Sequence, residues 1–380
     1  MEHPRRRILV FADWFLPGYR AGGPIRSLAN LVNALDDDFL IITRSTDHHS
    51  TEQYPGIRPG EWIAFSPNVK VMYVQDEMMT RSFVKEILRN TTFDCIYLNS
   101  LFSPRFTLIP LWVWKSSVRK GKVILAPRGM LKSGALSIKS KKKNWFIRFS
   151  KWTNLFKGVI WHATNSQEAQ EIQDNFGGKC EVRIAPNLPA GQGAGQHIRA
   201  KTPGDLRLIS IARISPEKGI LEAIKFITES AVKGSWQVTF YGAHQNPEYL
   251  RNCQEMANLV PNAQIDFPGE INPTDITAAF DRHHFFLSAT WGENFGHAIA
   301  EALLHGLPVI ISDKTPWRNL QESAAGWDLP LEPKAFDSVF EKCMQMDQHE
   351  YEHICHSAAA FGAAVLADPT NLDACKKLFS

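Results

Sequence analysis

Two glutamates stand eight positions apart in the run SATWGENFGHAIAEAL, residues 288 to 303, which is followed by GLPVI at 306 to 310. The apolar residues before the run read as a strand. The helical spacing of Phe295, Ile299, Ala302 and Leu303 then places Glu293 in a loop and Glu301 on a helix that starts near Asn294. A helix start carries unpaired N–H groups and partial positive charge, so the turn Asn294, Phe295, Gly296 can receive a phosphate or sugar hydroxyls. An ionised glutamate accepts hydrogen bonds from two hydroxyls at once, as a ribose diol or a hexose requires. The plainer alternative is a helix-capping Glu293 and a solvated Glu301.

Other candidates cluster at strand ends. IARISPEKG, residues 211 to 219, follows a strand and brackets a tight turn with Arg213 and Lys218. DWFLPGYRAGGP, residues 13 to 24, places Gly22 and Gly23 ahead of a helix from Ile25, where the missing side chains let backbone approach a ligand. LAPRGM, residues 125 to 130, ends a strand at Arg128, and WHATNS, residues 161 to 166, offers His162, as a ligand contact or as a buried, satisfied histidine.

These residues need a scaffold of strands and helices in alternation, and the chain supplies one. Short apolar runs at 8–12, 40–43, 69–74, 95–98, 123–126, 159–163 and 182–184 are separated by stretches of mostly helical length, the signature of βαβ units. From Ala185 to Pro203 the pattern collapses into Gly and Pro, and strands resume at 206–212, 237–241, 285–288 and 309–312. The class is α/β. The expected division is a first Rossmann-like domain over 1–187, a linker over 188–203 and a second Rossmann-like domain over 204–364, with a C-terminal helix near 365–380 returning to the first. The carboxyl ends of the two sheets would then line a shared cleft.

Those motifs carry a resemblance. Over nearly its full length the chain resembles the retaining glycosyltransferases of family 4, with glycogen-synthase-like GT-B architecture. Their E-x7-E motif matches Glu293 and Glu301; by that match Glu301 binds the nucleotide ribose and Glu293 faces the donor sugar. Arg213 and Lys218 fall where the family holds the donor diphosphate, and two fixed cations there would stabilise charge on the departing group. Gly22 and Gly23 match its glycine loop. Arg128 stands where many relatives have histidine, which retains a cation near the reacting sugar, and His162 is a second candidate for a sugar or acceptor contact. SDKTPW at 312 to 317 replaces the usual Gly-Gly, and Pro186, Asn187, Leu188 replace Pro-Asn-Gly at the hinge. The resemblance implies a nucleotide-sugar donor as substrate, no cofactor, and a glycan or lipid-linked acceptor in surface polysaccharide assembly. A nucleotide-sugar epimerase of the same architecture is the rival reading.

Composition limits the alternatives. Lys plus Arg, 42, exceeds Asp plus Glu, 39, by three, too little to attract nucleic acid in bulk. The six cysteines show no metal-binding spacing and suggest a reducing, cytoplasmic setting. No apolar run approaches the ~20 residues that cross a bilayer, and no G-x-G-x-x-G follows a first strand. Asp36, Asp37, Asp38 contain a D-x-D, but they follow a helix and precede a strand, the wrong context for a metal site. Lys132 to Lys157 holds eight basic residues and no acid, with Trp145, Phe149, Trp152 and Phe156 on one helical stripe. Two readings stand: contact with an anionic membrane at its inner face, or aromatics packed on their own sheet beneath solvated lysines.

Overall fold

The computed structural model describes residues 5–117, 121–131, 140–189, 198–244, 246–260 and 263–380. They form two units, one of Met1–Leu188 with Pro369–Ser380 and the other of Pro189–Asp368.

The first unit is built on an eight-stranded sheet. Its strands are β1 (Arg7–Ala12), β2 (Asp38–Arg44), β3 (Trp62–Ser66), β4 (Val69–Val74), β5 (Cys95–Asn99), β6 (Lys122–Leu125), β7 (Val159–Ala163) and β8 (Val182–Ile184). They lie in the order β3-β4-β2-β1-β5-β6-β7-β8, parallel except for β3, which runs antiparallel to β4. Ile8, Leu9, Val10 and Phe11 are all fully buried, because helices cover both faces of the sheet and a strand so enclosed must be apolar throughout. One face carries α2 (Arg81–Asn90), α3 (Ile109–Ser116), α4 (Ser140–Trp152) and α5 (Ser166–Phe176) through Val84, Leu111, Ile147 and Ile172. The other carries α1 (Gly23–Ala34) and the C-terminal α12 (Pro369–Leu378), with Leu28 and Val32 from the first and Cys375 and Leu378 from the second.

The second unit has a six-stranded, wholly parallel sheet of β9 (Asp205–Ile211), β10 (Ser235–Tyr241), β11 (Ala263–Gly269), β12 (Phe285–Ser288), β13 (Val309–Ser312) and β14 (Gly326–Leu329), in the order β11-β10-β9-β12-β13-β14. One face holds α6 (Ile220–Thr228), α7 (Pro247–Ala257), α10 (Pro333–Gln345) and the start of α11 (Gln348–Leu366). The other holds α8 (Ile276–Phe280) and α9 (His297–Leu304).

The α/β class and the parallel sheets agree with the sequence pattern, and three strands, β3, β11 and β14, are additional to it. Each lies at a sheet edge. The helix expected from Asn294 starts at His297, because Gly296 in the left-handed region, φ 78°, breaks the chain direction there. The helix expected from Ile25 begins two residues earlier, at Gly23. Among the described residues no helix is long and apolar enough to cross a membrane.

Candidate functional site

In each sheet the chain leaves the first strand to one side and later returns to the other, which opens a crevice at the carboxyl ends of the central strands. In the second unit this switch lies between β9 and β12; in the first it lies between β1 and β5.

The loops after β9, β12 and β13 interlock at the second unit's crevice. The Glu217 carbonyl accepts from the Trp291 amide at 3.0 Å and from Thr290 Oγ1 at 3.1 Å. Gly219, at φ 64°, lies so close to the Ala289 carbonyl that any side chain there would run into it. The Ser312 hydroxyl donates to the Thr290 carbonyl at 2.5 Å, and the Glu293 amide donates to the Lys314 carbonyl at 3.1 Å. This stitching brings Lys218 Nζ onto Glu293 Oε1, with 17% and 20% of the two side chains exposed, so the ion pair is well shielded yet open to a ligand. Arg213 pairs instead with Glu217 at 3.0 Å and is more exposed.

Beyond Glu293 the chain turns through Asn294, Phe295 and Gly296 into α9. Gly296 has no side chain with which to cap that helix, and no side-chain cap bond is made at its start. Trp317 Nε1 donates to the Phe295 carbonyl at 2.6 Å and its ring packs edge-on against Phe295, which fixes the turn. Glu301 is the fifth residue of α9 and is partly buried. Sequence reasoning marked the 312–317 segment only as a departure; the signal in it was Trp317, a large residue in a loop with one donor to place.

In the first unit Gly22, at φ 69°, precedes α1, and Gly23 opens it. Their loop is held by Asp47, whose Oδ2 accepts from the Tyr19 and Arg20 amides at 2.9 and 3.3 Å. At the switch point itself Asp13, just after β1, accepts from Ser103 Oγ at 2.8 Å and from Arg44 Nη2 at 3.2 Å. Arg44 also reaches Asp76, which Arg105 contacts at 2.8 Å. Burial raises the Asp13 carboxyl above its ordinary range, and the Ser103 and Arg44 bonds only partly oppose that. This charged cluster was not found from sequence, because its members come from four separate segments, following β1, ending β2, and following β4 and β5.

Arg128 is partly buried and His162 fully so, the second of the two readings given for the histidine. Arg128 donates from Nε to Asn99 Oδ1 at 2.5 Å, from Nη1 to Asn187 Oδ1 at 2.7 Å and from Nη2 to Tyr97 OH at 2.9 Å, so each guanidinium nitrogen braces the protein. His162 corrects the expectation of a sugar or acceptor contact: it is 2% exposed, with Nδ1 bonded to Tyr97 OH and Nε2 to the Ala185 carbonyl, both at 2.8 Å. No ring nitrogen remains for a ligand. Burial, then the Arg128 charge, pushes its pKa down to about 3, so the ring is neutral.

The D-x-D lies at the amino end of the first sheet's central strands, away from the crevice at their carboxyl ends. Asp37 is taken by Arg6 at 2.8 Å and Asp38 begins β2. Among the described residues no group of three or more His, Cys, Asp or Glu is placed to hold a metal ion.

The expected aromatic stripe divides. Trp145, Phe149 and Trp152 are exposed, whereas Phe156 lies beyond the end of α4 and is buried in the core. Lys132 and Lys139 lie outside the described residues, as do the side chains of Lys141 and Lys142 and residues 190–197 of the expected linker.

Comparison with known proteins places these features in context. Residues 196–325 match the family described as glycosyl transferases group 1. The chain is 25% identical over 338 residues to the alpha-monoglucosyldiacylglycerol synthase of Streptococcus pneumoniae, covering 83% of this chain and 73% of that one. Its fold matches sucrose-phosphate synthase of Thermosynechococcus elongatus with a TM-score of 0.67, at 15% identity over 99% and 98% of the two chains. It matches Anabaena HepE, solved with UDP and glucose, with a TM-score of 0.68, at 15% identity over 98% and 99%. The GT-B-type α/β fold is thus shared with these neighbours.

Proposed function

We propose that this chain, a glycosyltransferase whose second unit carries the group 1 domain, transfers a sugar from a nucleoside-diphosphate donor to a glycan or lipid-linked acceptor with retention of anomeric configuration. The observation that carries the reading is the Lys218–Glu293 ion pair beside the uncapped start of α9 at the second unit's switch point. A diphosphate fits the Lys218 ammonium, Arg213 and the α9 amides, because each offers fixed positive charge to a leaving group that gains negative charge. Glu293, with its partner then drawn to phosphate, accepts from sugar hydroxyls. Glu301 is assigned to the ribose diol.

No side chain at this crevice is assigned as a covalent nucleophile, so the acceptor oxygen attacks the face from which the diphosphate departs. The C–O bond to phosphate breaks as the new C–O bond forms, and the acceptor proton passes to the leaving phosphate oxygen. Stabilisation of the leaving group is assigned to Arg213 and Lys218 rather than to a metal. The acceptor is assigned to the first unit's crevice, at the switch point between β1 and β5. That the streptococcal relative is named a synthase of a glucosylated diacylglycerol favours a lipid-borne acceptor. All six cysteines are free thiols, which suits the reducing cytoplasm where the reading places the enzyme.

A screen for diphosphate release against several NDP-sugars, followed by NMR of the product, tests this. The expected result is donor-dependent release, a product with the donor's anomeric configuration, and turnover that survives EDTA. An inverted product would overturn retention. Loss of activity in EDTA with recovery on Mn²⁺ would overturn metal independence, and an epimerised nucleotide sugar with no glycoside would overturn transfer.

A further inference from the structure

Six aromatic side chains are strongly exposed among the described residues: Phe65, Trp112, Trp145, Phe149, Trp152 and Trp291. Four of them belong to α3 and α4. On α4 the inward face is already satisfied, since Ile147 and Ser150 are buried and Phe146 packs edge-on against Phe102. Trp145, Phe149 and Trp152 stand on another side at 66%, 41% and 80% exposure, spaced four and three apart. Trp145 and Phe149 stack at 5.2 Å with an 8° interplanar angle, and Trp152 follows at 6.0 Å. The helix is therefore apolar on two sides, and the described residues cover only one of them.

The charge around this file has one sign. Arg148, Lys151 and Lys157 are exposed and have no acidic partner among the described residues. On α3, Lys115 lies three residues after the exposed Trp112 and its ammonium caps the Asn154 carbonyl just past α4, which carries the patch across to α3. Burial and the neighbouring Lys157 both lower the Lys115 pKa, as expected where cations crowd without an acid to relieve them. Pairing with a second copy through this face would set cation against cation. A bilayer with anionic headgroups meets both demands, since indole and phenyl rings settle at the headgroup boundary and basic side chains hold lipid phosphates.

We infer that the outward face of α4, edged by Trp112 and Lys115 of α3, docks the first unit on an anionic lipid bilayer. Trp145, Phe149 and Trp152 seat among the headgroups, and Arg148, Lys151, Lys157 and Lys115 bind the phosphates around them. The inference deepens the lipid-linked branch of the transfer reading by bringing the enzyme to the surface that holds such an acceptor. It does not depend on the chemistry of transfer.

Sedimentation of the full chain with phosphatidylcholine vesicles, with and without about one third phosphatidylglycerol, tests it across a range of salt. Wild type should bind the anionic vesicles and lose binding as salt rises. The triple variant Arg148→Gln, Lys151→Gln, Lys157→Gln should bind about 10²-fold less at low salt, at about fivefold per charge. Trp145→Ser, Phe149→Ser, Trp152→Ser should bind at least ~10-fold less. Trp152→Glu alone, at the most exposed position, guards against misfolding of the triple variant and should also bind less. Diphosphate release on a soluble acceptor should be the same in all of them. Equal binding by variants and wild type, or equal binding to neutral and anionic vesicles, overturns the proposal, as does a wild-type dimer that the aromatic variant dissolves without loss of vesicle binding. A chain that binds anionic vesicles but transfers no sugar would leave the docking surface standing and remove the function.

Discussion

Lys218 and Glu293 are 75 positions apart in the chain and share one ion pair. Each was recognisable from its local motif, but the bond between them was not, because it depends on β9 and β12 being neighbours in the sheet. With Glu293 as partner the ammonium is kept at the crevice before any diphosphate arrives, and on the proposed reading it has only to shift from carboxylate to phosphate. Lys218→Ala should lower turnover by about 10²-fold or more, with Lys218→Arg a poor substitute because a planar guanidinium cannot occupy the ammonium's position. A stopped NDP-release assay at saturating donor measures this, and wild-type turnover in the alanine variant would remove Lys218 from the diphosphate. On the proposed reading Glu301 serves binding instead: Glu301→Ala should weaken NDP affinity by about 10-fold or more, the scale of a lost charge-assisted hydrogen bond, with the fold unchanged. Calorimetry giving equal affinity in both proteins would reassign it. Arg128 and His162 show the limit of motif reading in the other direction. Their positions at strand ends were legible, but whether such a side chain turns outward or inward depends on Tyr97, Asn99 and Asn187, none of which is adjacent in sequence.

At the level of elements, the strands that were legible are mostly those buried on both faces. β5 and β7 are fully buried and read as apolar runs apart from Asn99 at the end of the first and His162 within the second. The three unread strands are edges: β3 is half exposed, β11 alternates between half-buried and exposed residues and carries Pro268, and β14 begins with Gly326. An edge strand needs only one side paired and one face covered, so its apolar signal is diluted in the way these sequences show. Loop closure is equally hidden, except where glycine marks it. Gly219 combines φ 64° with the close approach of the Ala289 carbonyl, so β-carbon addition there meets backbone rather than a side chain that could move. Gly219→Ala should destabilise the second unit by at least ~2 kcal/mol, from left-handed strain plus a forced shift of the β12 loop. It should lower turnover as well, because the shift separates Lys218 from Glu293. Denaturant unfolding followed by a probe in the second unit reads the first effect, and an unchanged midpoint would show that the two loops can part without cost.

At the scale of the molecule, the two units have separate cores and each contains a histidine that burial keeps neutral, His162 in the first and His284 in the second. That arrangement has a consequence for acid stability. An unfolded imidazole takes up a proton near pH 6.5, whereas folded His162 does so only near 3. Between those values the unfolded state binds more protons than the folded one, so stability falls as pH drops through the window and is fully present above about 6.5. His162 alone then contributes a slope to the unfolding free energy of the first unit that grows from about 0.7 kcal/mol per pH unit at pH 6.5 to about 1.3 near pH 5, or about 1.6 kcal/mol across that interval. Asp13, with its raised carboxyl, acts in the opposite sense, and a comparison with a variant that keeps Asp13 cancels its contribution. The variant that isolates the effect is His162→Gln, whose amide can still donate to the Ala185 carbonyl and accept from Tyr97 OH but does not titrate. Its absolute stability is not the readout, since the amide fits the cavity differently; the slope is. Denaturant unfolding of wild type and variant at several pH values between 5 and 6.5, followed by a first-unit probe, should show the wild-type slope reduced by about 1 kcal/mol per pH unit in the variant. Parallel slopes would mean that folded His162 is protonated near its ordinary pKa, and the pair of hydrogen bonds assigned to its neutral ring would then be wrong.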